Sequence, residues 1–525
     1  MHKNMKQVLH VLLATVIPLS AHAAGQQFNL MEASIADIHK AMRAGTLTCH
    51  SLVQQYLDRI EAYDKQGPSV NAILYLNPKA IEQADAMDKQ FKRSGKMAPL
   101  HCIPTVLKDN YNTADMPTTG GSASLAGAVP AQDAFALGRL RKDGVLVLAK
   151  TNLQEFALGG VSVSSLGGQV KNPYNLLLTP GGSSGGTGAA LAANFATVGT
   201  GSDTVNSIRS PASANSLVGI RPTHGLISRA GIVPVSFTMD DAGPLTRSVA
   251  DAATMLDSMA GYDPADPLTA LGVGHSPKSY TAYLKKNALK GARIGVLQTM
   301  FGDKPEHQEV NRVMANAILV LKQQGAIIVP VSAAEMDSDK LNTELDVQKY
   351  EYKGVINAYL KSAGNAPVHS LDDIIASGKP HQALTKFLLS AQAYENGLAE
   401  PDYKDRMLKM EALKIRLANL MAENRLDALV YPHQKRLPVP IGELNQSGRN
   451  GILTAVTGFP SIAVPAGFSA PTADAPVGVP VGMELIGQPW SEPQLIGYAY
   501  SFEQAAKARK VPASTPPLAR MSHAK

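Results

Sequence analysis

The chain has 525 residues, of which 45% are hydrophobic and 18% charged, with 44 Gly and 34 Pro. That is the composition of a soluble globular protein of one large domain or two to three ordinary ones, and it excludes a fibrous or low-complexity chain. The formal net charge of +6 is small for this length, and no Lys/Arg cluster is interleaved with aromatic residues, so nucleic-acid binding has no support.

The first element is a targeting segment. Lys3 and Lys6 precede an apolar run from Val8 to Leu19, and Ala21-His22-Ala23 offers small residues at the two cleavage-recognition positions. The run falls short of the roughly 20 apolar residues that span a bilayer. It reads as a signal peptide (1–23) cleaved after Ala23, which sends the protein to the periplasm or outside the cell. No later stretch is long and apolar enough to cross a membrane. In an oxidising compartment the only two cysteines, Cys49 and Cys102, can close one disulfide. A loop of roughly 50 residues would gain about 4 kcal/mol in the chain-entropy account. Two buried thiols are the other reading, and the sequence leaves both open.

Two amphipathic helices follow. Ser34 can cap the first, which carries Ile35, Ile38 and Met42. Leu52, Val53, Tyr56, Leu57 and Ile60 form one face of the second. A polar helix is predicted from Pro78 to Phe91. Short apolar runs then alternate with helical patterns, as in an α/β sheet with helices on its faces. The predicted strands are 103–107, 144–149, 293–297, 326–331, 428–431, 461–465 and 481–486. Residues 187–195, rich in Gly and Ala, read as a helix that packs closely on the sheet. Residues about 335–425 are more helical and more charged, a variable cap over one end of the sheet. The last predicted helix runs from Pro493 to Lys507. No long linker divides these elements, so 24–525 reads as a single domain.

The chemistry is concentrated in Thr179-Pro180-Gly181-Gly182-Ser183-Ser184-Gly185-Gly186-Thr187 and in Asp203-Thr204-Val205-Asn206-Ser207-Ile208-Arg209. Paired glycines around a double serine mark backbone that is tightly turned or closely approached. A serine needs a base to become a nucleophile. A lysine can be that base only when burial lowers its pKa enough to leave it neutral, and Lys108 ends the strand-like run Ile103-Pro104-Thr105-Val106-Leu107. Alone, such a lysine is more often solvated.

Together these segments resemble the amidase signature family. The matching residues are Gly181 to Gly186, Ile103-Pro104 leading to Lys108-Asp109, Lys150-Thr151-Asn152 with Glu155-Phe156, Ser207-Ile208-Arg209, and Gly219-Ile220-Arg221-Pro222-Thr223. Asp240, Gly243-Pro244, Arg247, Gly458-Phe459-Pro460, Pro465-Ala466-Gly467 and Gly482 to Gly487 add to it. The resemblance covers about 30–510, with a signature core at about 95–265. It implies a large mixed central β-sheet covered by helices on both faces, and amide hydrolysis without a cofactor. It makes Ser207 the nucleophile and Ser183, after a cis Gly182–Ser183 peptide, a proton relay to neutral Lys108. The backbone N–H groups of Thr204, Val205, Asn206 and Ser207 are expected to form the oxyanion hole. Asp203 and Arg209 are expected to brace the loop as an ion pair, with Ser184 beside them. The family usually has Gly-Gly before the nucleophile; here Val205-Asn206 stand there, and β-branched Val205 must keep φ < 0. By the resemblance the substrate is expected to be a small-molecule or peptide amide, and a homodimer is compatible with it.

Other patterns carry less. Gly181 to Gly185 satisfies the G-x-S-x-G elbow, which would make Ser183 the nucleophile of an α/β-hydrolase-type esterase with a histidine such as His224 or His433. Yet the residues before it end in Pro180 rather than in a strand, and that reading leaves Ser207 and Lys108 unexplained. A non-catalytic ligand-binding member of the same fold is a further alternative. No Gly-Lys-Ser/Thr follows the glycines, so a phosphate-binding loop is out. Ser522 to Lys525 fits S-x-x-K by chance. The 13 histidines show no metal-ligand spacing, and no metal is expected.

Overall fold

The computed structural model describes residues 28–518. The expected signal peptide and the Ser522–Lys525 pattern lie outside the described residues.

Local chemistry sets the first elements. Ser34 caps the helix Ile35–Arg43 and Asp37 returns a bond to the Ser34 backbone, a reciprocal cap. Thr48 and Ser51 do the same for Cys49–Tyr63, whose buried face is Leu52, Val53, Tyr56 and Ile60. The predicted polar helix runs from Ala80 to Ser94. Cys49, at the start of the second helix, is bonded to Cys102 with Cα atoms 5.8 Å apart. The helix is thereby fastened to the residue before strand β2.

The strands in chain order are β1 (Ile73–Leu76), β2 (Ile103–Lys108), β3 (Val145–Thr151), β4 (Val163–Ser164), β5 (Gly168–Gln169), β6 (Val198–Asp203), β7 (Val218–Arg221), β8 (Asp241–Thr246), β9 (Arg293–Leu297), β10 (Ile327–Val331), β11 (Ala428–Pro432), β12 (Ser461–Phe468) and β13 (Pro480–Ile486). Strands β4 and β5 form a small hairpin. The other eleven form one sheet in the order β1-β3-β2-β6-β8-β7-β12-β13-β11-β9-β10. Pairing is parallel in β3-β2-β6 and β11-β9-β10 and antiparallel elsewhere, so the sheet is mixed, with helices on both faces. All seven predicted strands are present within a residue or three at their ends. β1, β6, β7, β8 and the hairpin are additional to them.

Strands β2 and β6 run side by side in the same direction and end at Lys108 and Asp203. Their carboxyl ends therefore release two loops at one edge of the same cleft, as parallel neighbours in α/β sheets do. The helix after the double serine is Gly185–Ala192, a turn shorter at its end than predicted. Its small residues have a packing reason. A side chain at Gly199 on β6 would meet Thr187 Cγ2 at 2.6 Å, and one at Gly188 would meet Asn215 Nδ2 at 2.7 Å. Residues 338–423 are mostly helical, and the helix Gln348–Ser362 brings Tyr352, Ile356 and Leu360 against Phe156, Val233 and Val235 in the loops above the sheet.

Candidate active site

Lys108 is completely buried at the end of β2. Its Nζ lies 2.7 Å from Ser183 Oγ, 2.8 Å from Ser202 Oγ and 3.2 Å from the Ser202 carbonyl. Burial pushes its pKa down to about 7, against the opposing pull of Asp203 and Asp240. A lysine elsewhere in the same sheet shows the contrast. Lys150 is equally buried but faces Asp109 at 3.0 Å and bonds to Tyr111, Pro117 and Thr118, the full set of partners a charged ammonium needs.

The peptide between Gly182 and Ser183 is cis. Ser162 holds the turn: its hydroxyl donates to the Gly181 carbonyl at 2.8 Å and accepts from Gly185 N at 3.1 Å. A side chain at Gly182 would collide with Ser162 Oγ and the Gly160 backbone, so glycine is required there by space. Gln154 N donates to the Ser183 carbonyl at 3.0 Å, and Ser184 N donates to the Ser207 carbonyl at 3.2 Å, which sets the two serine loops side by side. Ser184 Oγ also donates to the Ser202 carbonyl.

The Ser207 hydroxyl makes no hydrogen bond to Ser183 or Lys108 among the described residues. The expected three-member chain is therefore joined at its Lys108–Ser183 link, while Ser207 stands beside it, held through its carbonyl.

The segment 204–207 leaves β6 with four successive backbone N–H groups, and none finds an acceptor among the described residues. Unsatisfied main-chain donors are rare in folded proteins, and a run of them is a ready-made anion cradle. Val205 and Asn206 both keep negative φ, so the departure from glycine costs no backbone strain. Asn206 has a task of its own: its Oδ1 accepts from Gly451 N at 3.0 Å. Thr204 donates through its hydroxyl to Asp240 at 2.6 Å.

Asp203 and Arg209 form an ion pair at 3.0 Å, within a larger buried cluster. Arg209 also meets Glu484 on β13 at 2.5 Å and donates to the Val205 carbonyl at 2.6 Å, while Arg221 on β7 reaches Asp203 at 3.1 Å. Burial works against the charge on Asp203, but the two guanidiniums outweigh it and hold the carboxyl far below its usual range. Asp203 Oδ2 in turn accepts from Ile208 N at 2.9 Å. The cluster thus clamps both ends of segment 204–207.

The elbow alternative fails on geometry. Residues 173–180 are turns with no strand before Ser183. His433 Nδ1 pairs with Glu484 at 2.7 Å and His224 Nδ1 with Asp241 at 3.0 Å; neither touches a serine of the site. Sequence reasoning misses Ser162 and Ser202, since nothing local distinguishes them, and reaches Glu484 only as part of the matching run Gly482 to Gly487. No group of three or more His, Cys, Asp or Glu side chains able to hold a metal occurs among the described residues.

The family profile described as Amidase matches residues 51–496. The chain belongs to the amidase signature family. A probable amidase of Arabidopsis thaliana is 36% identical over 96% of both chains. One subunit of the glutamyl-tRNA(Gln) amidotransferase of a Geobacter species is 33% identical over 90% of this chain and 97% of its own. The solved peptide amidase of Stenotrophomonas maltophilia is 38% identical and superposes with a TM-score of 0.83 over 92% of this chain and 99% of its own. As a member of this family the chain is an amidase, and its class of enzymes acts through a serine acyl-enzyme.

Proposed function

We propose that the protein is an exported amidohydrolase that cleaves the carboxamide of peptide-like substrates to acid and ammonia, with Ser207 as nucleophile and Ser183 and neutral Lys108 as relay and base. The observation that carries this reading is the 2.7 Å approach of a buried amine, with no carboxylate paired to it, to Ser183 Oγ. A neutral amine has two N–H groups and one lone pair. The carbonyl and hydroxyl of Ser202 can take the two N–H groups, which leaves the lone pair for the Ser183 hydroxyl proton.

Ser207 Oγ then bonds to the amide carbon as its proton passes to Ser183 Oγ and the Ser183 proton passes to Lys108. The carbonyl oxygen becomes an oxyanion among the four free N–H groups of 204–207, a placement worth about 3–4 kcal/mol per essential donor in comparable sites. Lys108 returns the proton through Ser183 to the nitrogen, the C–N bond breaks and ammonia leaves. Water attacks the ester by the same relay, and the acid departs with Ser207 restored. The likeness to the Stenotrophomonas enzyme supports a peptide amide. Export is supported by the signal-like residues 1–23 and by the cysteine bridge, which fits an oxidising compartment. It also argues for a free hydrolase over a component of an amidotransferase.

The test is hydrolysis of N-protected amino-acid amides with fluorophosphonate labelling and peptide mapping. Label is expected on Ser207. Ser207→Ala and Ser183→Ala should each lose at least about three decades of kcat, as removal of one member of a catalytic unit does. Label on Ser183, or turnover surviving in Ser207→Ala, overturns the assignment.

A further inference from the structure

One cation at the site has no partner. The Arg449 side chain makes no hydrogen bond and no ion pair among the described residues. Its backbone is fixed: Arg449 bridges to Gln434, and the next residue, Asn450, donates through Nδ2 to the Met300 and Pro432 carbonyls at 2.8 and 2.7 Å. The guanidinium then lies over Gly160, where any side chain would collide with it, and Gly160 itself packs against Gly182, the residue before Ser183. Two residues on, Gly451 packs against Val205 and Asn206. Arg449 therefore sits where the two serine loops meet, partly open to solvent.

The two arginines of the buried cluster beside it are paired. Arg209 and Arg221 share Asp203, Glu484 and Asp241. Burial pushes the Arg449 pKa down to about 10, with Asp203 only partly offsetting it; Asp203 is already committed to two guanidiniums. A partly desolvated cation kept without a counter-ion is costly unless an anion arrives, and a planar fork of donors suits a carboxylate.

We infer that Arg449 binds a carboxylate on the acyl part of the substrate, so that the enzyme prefers acidic amides to neutral ones of the same length. This rests on the amidase reading above and narrows its substrate class.

Two pairs of benzyloxycarbonyl amino-acid amides test it, Glu against Met and Asp against Leu, which differ in charge and little in length. The kcat/KM ratio of acidic to neutral substrate should be about tenfold or more in at least one pair, the scale of one charge-assisted hydrogen bond. It should collapse toward one in Arg449→Met and be partly kept in Arg449→Lys. A residue that merely supported the fold would lower both rates together and leave the ratio alone. Calorimetry of the same ligands with Ser207→Ala, with and without Arg449→Met, reads the preference without turnover. A ratio at or below one in both pairs, a ratio unmoved by Arg449→Met, or equal binding of acidic and neutral ligands overturns the inference. Acid-selective binding that depends on Arg449, with no amide cleaved, would instead sink the peptide-amide reading and leave this one standing.

Discussion

A lysine with no carboxylate beside it is an unusual thing to bury. Its depressed pKa fixes the sign of the pH response, because only the uncharged amine can accept a proton. Below about 7 the neutral fraction of Lys108 falls tenfold per pH unit. A plot of log kcat/KM against pH should therefore rise with a slope near one up to about 7 and then level. A rate that stays flat down to pH 5 would remove lysine from the base role. Lys108, Ser183, Asp203 and Arg209 are legible from motif and spacing because each sits in a segment of unusual composition. Ser202, Ser162 and Arg449 are not, since an ordinary serine or arginine acquires its meaning only from what the fold sets next to it.

At the scale of elements, strand prediction works where burial is filled by β-branched and aliphatic residues, as in β2, β3 and β9. It fails for β6, β7 and β8, whose sequences VGTGSD, VGIR and DAGPLT carry glycine and polar residues. The reason is space. A Cβ at Gly201 would meet Ile208 Cγ1 at 2.9 Å, and one at Gly219 would meet Ala212 Cβ at 2.9 Å. Close helix packing overrides strand propensity there. The same strands carry charges that fix segment 204–207, which gives a contrast between two arginines. Arg209→Met leaves Asp203 and Glu484 buried with fewer partners and should cost about 3–5 kcal/mol by urea unfolding, together with a loss of kcat. Arg312→Ala, which breaks a pair with Glu309 whose partners are 49% and 41% exposed, should cost under about 1 kcal/mol. Equal losses would mean that the buried cluster is no more than a surface-like contact.

Across the whole molecule, the first helix, the helix Val249–Met259 and the C-terminal helix Glu492–Ala506 meet through two acids, the buried Asp251 and the half-buried Glu503. Val249 N donates to Glu503 Oε1 at 2.7 Å and Ile35 N to Asp251 Oδ1 at 3.1 Å. Burial raises Glu503 to about 7 and Asp251 to about 6, more than their hydrogen bonds lower them. Since the folded pKa lies above the unfolded one, the stabilisation is fully present below about pH 4 and is lost as pH rises through 6 to 7. Glu503→Gln keeps the acceptor for Val249 and removes the ionisation. It should be more stable than the parent at pH 8, by on the order of 3 kcal/mol, and no more stable at pH 4. A gain of equal size at both pH values would point to packing instead.

The bond between Arg209 and Glu484 joins positions 275 apart in the chain. Lys108, Ser183 and Ser207 are all encoded before residue 210, yet the acid that steadies the 203–209 segment comes from the next-to-last described element. A ribosome that has finished all three has not finished the site. A nascent chain that ends before its final strands should be inactive, and a truncation there should disarm the enzyme while leaving Lys108, Ser183 and Ser207 in place.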